Sequence, residues 1–323
     1  MAAAESERVC VTGAGGFVAS WLVKHLLSKG YLVHGTIREP GNHKYAHLEK
    51  LEKASEKLKL FKADVLNYDS LYSAIEGCSG VFHVASPAPA GPVSNPEVEL
   101  FEPAVKGTLN VLKACVEAKV KRVVVVSSIS AVVLNPKWPK EKVMDESCWS
   151  DTEYCRNTQN WYYVSKTEAE WEALEFAKTN GIDVVTVCPA LVFGPLLQST
   201  VNASSFGLAM LMKGFQSTME NKNLDIVDVR DLADALLLVY EKREAEGRYI
   251  CLAHSVKTQE MVDKLRTLYP NYGYPSKIVD VEEDTRLSSD KLHKLGWTTF
   301  RPLEETFTDS VESYRKAGVL ETN

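Results

Sequence analysis

The sequence predicts an α/β protein built on a doubly wound parallel sheet, with a smaller C-terminal lobe. Three observations carry that prediction. Short apolar runs alternate with helical stretches long enough to cross over between parallel strands. Most of the runs are continuously apolar, the pattern of strands covered on both faces. After Cys188 the rhythm breaks into VCPALVFGPLLQSTVNASS, rich in Pro, Gly, Ser and Asn.

Taken in order, strands are expected at Arg8–Thr12, Leu32–Ile37, Leu58–Ala63, Gly80–Val84, Val120–Val126 and Asp183–Cys188. Helices are expected at Ala19–Ser28, Glu97–Ala118 and Tyr162–Lys178. Beyond them come a strand and helix over Asp225–Tyr240 and isolated helices at Ser288–Leu295 and Leu303–Ala317. Residues 1–188 form the sheet domain, with 225–242 returning to it, and 189–224 with 243–323 form the lobe. The Lys- and Glu-rich Lys44–Lys59 reads as a solvated face with a helix in it.

Composition narrows the function classes. With 323 residues, 45% hydrophobic and 25% charged, the chain can bury a sizeable core. Its 37 Lys+Arg against 43 Asp+Glu give a net charge of −6, which argues against nucleic acid or an anionic membrane and for a small-molecule ligand. The N-terminus lacks a signal-peptide pattern, and Pro189 and Pro195 interrupt the longest apolar stretch, so the expectation is a cytoplasmic protein. Cys10, Cys78, Cys115, Cys148, Cys155, Cys188 and Cys251 show no CxxC spacing and read as free thiols. Cys148 and Cys155, flanking an acidic turn, are expected near enough for an oxidant to link them. His43 and His47 lack the glutamate of an HExxH pattern, so no metal is expected.

The first strand runs into Gly13-Ala14-Gly15-Gly16-Phe17-Val18-Ala19-Ser20 and then a helix. A glycine-rich turn there presents backbone N–H groups, from Gly13 through Val18, and a positive helix end to a dinucleotide pyrophosphate. Gly13 permits the tight turn, Gly16 the close approach of phosphate, and small Ala19 the packing of helix on strand. The second strand ends in Arg38, where an NAD site would usually carry Asp or Glu, and Lys44 follows with five residues between. A guanidinium grips a 2′-phosphate bidentately and a second cation adds charge, so the cofactor is expected to be NADP. Glu39 is the dissenting neighbour.

Among 13 tyrosines, Tyr162 alone is followed four residues later by lysine, Lys166, so the two share a helix face. Ser128 closes the fifth strand, 34 residues upstream of Tyr162. The TGxxGxxA loop and this Ser-Tyr-Lys order resemble the extended short-chain dehydrogenase/reductase family, a Rossmann fold. The resemblance implies that Ser128, Tyr162 and Lys166 are the catalytic triad, with Tyr162 and Lys166 also touching the cofactor. It further implies that Asp64 and Val65 meet the adenine, that Ala85 and Ser86 line the cofactor channel after His83, and that Asn110 is structural. Carbonyl reduction explains the residue types. Oxygen must receive a proton as carbon receives hydride, and an isolated tyrosine near pKa 10 is a poor partner unless a cation favours phenolate. Ser128 would hydrogen-bond the oxygen where charge develops.

The segments DESCWSD (145–151), Asn160-Trp161-Tyr162, VCPALVFGPLLQ (187–198) and VNASS (201–205) resemble the plant branch holding cinnamoyl-CoA reductases, dihydroflavonol reductases and short-chain-type cinnamyl alcohol dehydrogenases. Pro189 and Val192 are assigned to the cofactor, and Ser128, Ile129, Phe193, Leu197 and Phe206 to the substrate; this apolar lining suits a flat phenylpropanoid and argues against a sugar-nucleotide epimerase. Family members that take CoA thioesters carry NWYCYGK, then a His after the NAS segment, a Lys three residues on and a later Arg. This chain has NWYYVSK, Gly207, Met210 and, by spacing, Thr258. The resemblance therefore implies reduction of a hydroxycinnamaldehyde to its alcohol. A CoA thioester, a dihydroflavonol and a polyketide-derived ketone are the alternatives, with a non-catalytic NADPH-binding protein the reading from another class.

Overall fold

The computed structural model describes residues 7–88, 91, 93–139, 141–281 and 286–321. Its strands are β1 (Arg8–Thr12), β2 (Leu32–Ile37), β3 (Leu58–Lys62), β4 (Gly80–His83), β5 (Arg122–Val126), β6 (Val184–Pro189), β7 (Leu191–Phe193), β8 (Thr218–Asn221), β9 (Asn223–Asp228), β10 (Gly247–Cys251), β11 (His254–Lys257) and β12 (Lys277–Asp280). Seven of them form one sheet in the order β10-β6-β5-β4-β1-β2-β3, every pair parallel. Strand order reverses between β1 and β4, which opens a crevice at the carboxyl ends of those strands. Gly13, Ala85, Ser128 and Pro189 follow or close β1, β4, β5 and β6, so topology gathers them at that one edge.

Every residue of β4, β5 and β6 is buried, which is why these strands read as unbroken apolar runs. At the sheet margin, β3 buries no residue completely and carries Lys59 and Lys62, charges that discourage pairing with another chain. The Phe17–Ser28 helix buries Leu22, Val23, Leu26 and Leu27 and packs along the Val229–Glu241 helix. Each such leucine contributes about 1.5–3 kcal/mol of burial.

The structure departs from the sequence reading in three places. The segment expected as one helix over Glu97–Ala118 is wide and π-type from Glu97 to Lys106 and becomes α-helical only from Gly107 to Glu117. Pro103 sits inside the first part, where it lacks an N–H and crowds the carbonyl one turn back. The second difference lies in 243–323: β10 belongs to the main sheet, paired with β6 through Arg248–Thr186 and Ile250–Cys188, rather than to the lobe. Arg248 breaks the apolar run that would have announced this strand. Third, only the helix of the 225–242 segment returns to the sheet; β9 pairs with β7 and β11 in a three-stranded sheet of the lobe.

The rest of the lobe pairs β8 with β12 and packs the Ala203–Met212, Thr258–Leu268 and Leu303–Lys316 helices around Phe193, Ile226, Phe307 and Tyr314. It joins the sheet domain where Trp21 Nε1 donates to the Pro195 carbonyl at 2.7 Å. Among the described residues no helix is long and apolar enough to cross a membrane.

Candidate active site

The glycine turn is built as a cradle. Gly13 has φ +66°, the left-handed region that glycine adopts without strain, and a side chain there would also meet Ala85 at 3.0 Å. Its N–H donates to Thr36 Oγ1 at 2.9 Å, and Ala14 N–H donates to the Thr36 carbonyl at 2.9 Å, which pins the turn to β2. Gly16 caps the Phe17–Ser28 helix with no side chain on its first N–H groups, leaving the positive end available to an anion. A Cβ on Gly15 would lie 2.3 Å from the Tyr45 ring, so this glycine admits the ring against the loop backbone. Sequence reading gave Tyr45 no such place.

At the end of β2, Arg38 is exposed and Lys44 is half-buried. Lys44 Nζ lies 3.1 Å from Glu39 Oε2, and Asn42 Nδ2 donates to the same oxygen at 2.8 Å. The ion pair and hydrogen bonds hold the Glu39 carboxyl below the usual carboxylate range and the Lys44 ammonium above its own. A turn carrying two cations fits a phosphorylated ribose better than a bare diol. His47, considered above as a metal ligand, is engaged by Ser20 Oγ at 2.8 Å, and among the described residues no three His, Cys, Asp or Glu cluster as a metal site. Asp64 Oδ1 accepts from Leu66 N–H at 2.9 Å in an exposed turn, and Asn110 Nδ2 donates to the Val65 carbonyl at 3.0 Å, holding that turn in place.

A closed hydrogen-bond set ties the end of β1 to the end of β4 and to the Gly107–Glu117 helix. Thr12 Oγ1 accepts from Val84 and Ala85 N–H, each at 3.0 Å, and so donates to His83 Nδ1 at 2.9 Å. His83 Nε2 then donates to Thr108 Oγ1 at 3.0 Å, which donates to the Ala104 carbonyl at 2.6 Å. Burial first, and then the Lys166 charge, push His83 down to about 3, so it is neutral and holds up the chain beneath Ala85 and Ser86.

The Trp161–Asn180 helix brings Tyr162 and Lys166 to Ser128. Ser128 and Tyr162 are hydrogen-bonded, and Lys166 Nζ lies 6.0 Å from the Tyr162 ring centre. Ser128 Oγ also accepts from Ser130 N–H at 3.1 Å, capping the Ile129–Ala131 turn, and Lys166 Nζ donates to the Val126 carbonyl at 3.3 Å. Burial pushes the Tyr162 phenol up to about 12, with the Ser128 bond pulling against it. Burial likewise pushes the Lys166 ammonium down to about 8, opposed by Glu170 and Cys188. Tyr163 is hydrogen-bonded to Ser130 instead.

The apolar residues expected around the substrate divide. Ile129 and Leu197 are half-buried, while Phe206 is 43% exposed on the Ala203–Met212 helix. Phe193 is a correction: at 4% exposure it packs with Phe307, ring centres 6.3 Å apart, and is taken up by the lobe's core. Thr258 is another, since it is fully buried with Oγ1 donating to the Lys222 carbonyl at 3.1 Å, and so is no vacated handle for a ligand. Pro189 is buried at the end of β6 and Val192 half-buried just beyond. Cys148 and Cys155 are free buried thiols in different apolar clusters, Cys148 beside Val132 and Met144, Cys155 beside Phe101 and Val164; the expected pairing is not what the packing provides.

Known proteins place this architecture. The pattern of the NAD dependent epimerase/dehydratase family matches residues 9–252. Cinnamoyl-CoA reductase 1 of Petunia hybrida is 46% identical over 324 aligned positions, covering 99% of this chain and 96% of the petunia protein. Vestitone reductase from alfalfa superposes with a TM-score of 0.83 at 37% identity, covering 97% of this chain and 99% of that one. Yeast methylglyoxal/isovaleraldehyde reductase Gre2, solved with NADPH, gives 0.82 at 27% identity, covering 97% of this chain and 100% of its own. The chain belongs to the NAD dependent epimerase/dehydratase family, as an extended short-chain reductase of the plant cinnamoyl-CoA reductase branch.

Proposed function

We propose that the protein reduces hydroxycinnamaldehydes to the corresponding alcohols with NADPH, and handles the CoA thioesters poorly. The cofactor reading is supported by the uncapped helix behind Gly16 and by Arg38 with Lys44 at the β2 turn. When bound, NADPH supplies the hydride. Tyr162 gives its phenolic proton to the carbonyl oxygen, Ser128 hydrogen-bonds that oxygen as charge gathers on it, and the Lys166 ammonium favours the phenolate left behind. Lys166 would also hold the cofactor's ribose.

The observation that carries the aldehyde preference is the face of the Ala203–Met212 helix. Gly207 there is exposed with nothing near its Cβ position, and Met210 is half-buried among apolar neighbours. Neither supplies the charged partner that a CoA tail would need. Each such contact contributes roughly 1.5–3 kcal/mol before solvent screening, so the thioester's kcat/KM is expected about tenfold or more below the aldehyde's. The 46% identity to the petunia reductase favours the second reading, a thioester substrate. Purified enzyme with NADPH and matched coniferaldehyde and feruloyl-CoA separates them. Equal or greater efficiency with feruloyl-CoA overturns the aldehyde preference.

A further inference from the structure

Directly beneath the triad lies an ion pair that the chemistry above does not use. Glu170 is one helical turn beyond Lys166, and its side chain is wholly buried. Its Oε1 accepts from Arg248 Nε at 2.8 Å and Thr186 Oγ1 at 2.6 Å, and its Oε2 from Ser127 Oγ at 2.7 Å and Arg248 Nη2 at 3.2 Å. Cys188 Sγ lies 3.3 Å from Oε1. The guanidinium continues outward, donating to the Ala131 carbonyl at 3.3 Å and the Cys148 carbonyl at 2.7 Å, and stacks 3.4 Å from the Trp149 ring centre.

The partners of this pair are the backbone neighbours of the triad. Ser127 adjoins Ser128, Ala131 closes the turn that Ser128 caps, and Lys166 donates to the carbonyl of Val126. A buried ion pair adds little to stability over well-packed apolar side chains, whereas losing one partner leaves a costly uncompensated charge. Its placement therefore calls for a role beyond stability.

We propose that the Glu170–Arg248 pair is a positioning device for the triad: Glu170 supplies the negative charge that keeps the proton on Lys166 in a dry site, and the pair together fixes the turn carrying Ser128. This rests on the carbonyl-reduction reading of the triad. Lys166 is faced by Glu170 and Tyr162 on its own helix, by Cys188 on β6 and by His83 on β4, while Arg248 on β10 faces Glu170. Arg156, on the adjoining Thr152–Asn157 helix, is engaged by Glu168 on a more exposed side. Burial favours loss of the Lys166 proton, and the Glu170 charge is the main force against it.

Two variants of the full chain test this, Glu170→Gln and the double variant Glu170→Gln with Arg248→Met. The first leaves a guanidinium buried without its partner, and the second removes both charges. The alkaline limb of kcat for carbonyl reduction is expected to move down by about one pH unit in Glu170→Gln, a roughly tenfold loss above that limb. In the double variant thermal stability recovers and the limb stays shifted. Competitive acetylation of lysines by acetic anhydride across pH, read at Lys166 by peptide mass spectrometry, follows the same ionisation without turnover. A shift there in a protein inactive on every aldehyde and thioester overturns the substrate reading and keeps the positioning pair. A limb and an acetylation profile matching wild type in the double variant overturn the pair's role, as does joint recovery of stability and pH profile. Should Glu170→Gln fail to fold, the double variant decides by the same readings.

Discussion

The two ends of the proposed cofactor cleft hold charge in opposite settings. At the β2 turn Arg38 and Glu39 are exposed and Lys44 half-buried, and the Glu39–Lys44 pair sits in water. At the triad Lys166, Glu170 and Arg248 are exposed by only 6%, 1% and 6%. Charges in water can be exchanged cheaply for those of an arriving ligand, because screening leaves a surface pair little to lose. Buried ones cannot, because a stranded partner has no solvent to turn to. The first end is thus suited to selecting a cofactor and the second to moving a proton.

That contrast puts the largest effect at the buried end. Tyr162→Phe keeps the ring and removes the proton donor, and kcat is expected to fall by about 10²–10⁴-fold, the usual contribution of general acid catalysis. NADPH binding, followed by fluorescence, should persist. Tyr163→Phe, whose partner is Ser130, should keep most of the turnover; the reverse pattern would move the catalytic register by one residue.

Next in size is Arg38→Ala at the exposed end. It removes a guanidinium suited to bidentate contact with the 2′-phosphate, so the KM for NADPH is expected to rise by about tenfold or more while that for NADH changes little. Equal losses for both cofactors would detach Arg38 from phosphate recognition. Raising the salt concentration should narrow the gap between wild type and variant, since this contact is screened.

Legibility in the sequence follows the same division of the molecule. Glycine turn, β2 terminus and Tyr162-Lys166 spacing are local patterns, and the structure brings Gly13, Arg38 and Ser128 to strand ends and Tyr162 and Lys166 to the first two turns of one helix. Buried β4, β5 and β6 announced themselves by continuous apolar runs. What stayed hidden depends on contacts distant in sequence. Arg248 lies 78 positions from Glu170, and a charged residue in a strand disguised β10 as lobe. Glu170 itself, four residues past Lys166, was within reach of the spacing argument that found Tyr162. Apolarity alone points Phe193 at the substrate, and only packing against Phe307 shows which side of β7 it serves.

The smallest effect sharpens the comparison most, because it reverses the usual sign of a substitution. Glu39 stands against Lys44 where a phosphate would compete for the same ammonium. Glu39→Gln removes that competitor and keeps a side chain of similar size, so NADPH is expected to bind about two- to threefold more tightly at low salt, as an exposed pair of this kind allows. The gain should fade near physiological ionic strength, where screening acts over about 8 Å. NADH, which lacks the phosphate, should be nearly indifferent. Fluorescence titration of both cofactors at two salt concentrations makes the measurement. Weaker NADH binding in Glu39→Gln would instead make Glu39 a ligand of the ribose hydroxyls, and the β2 turn would then serve both cofactors rather than select between them.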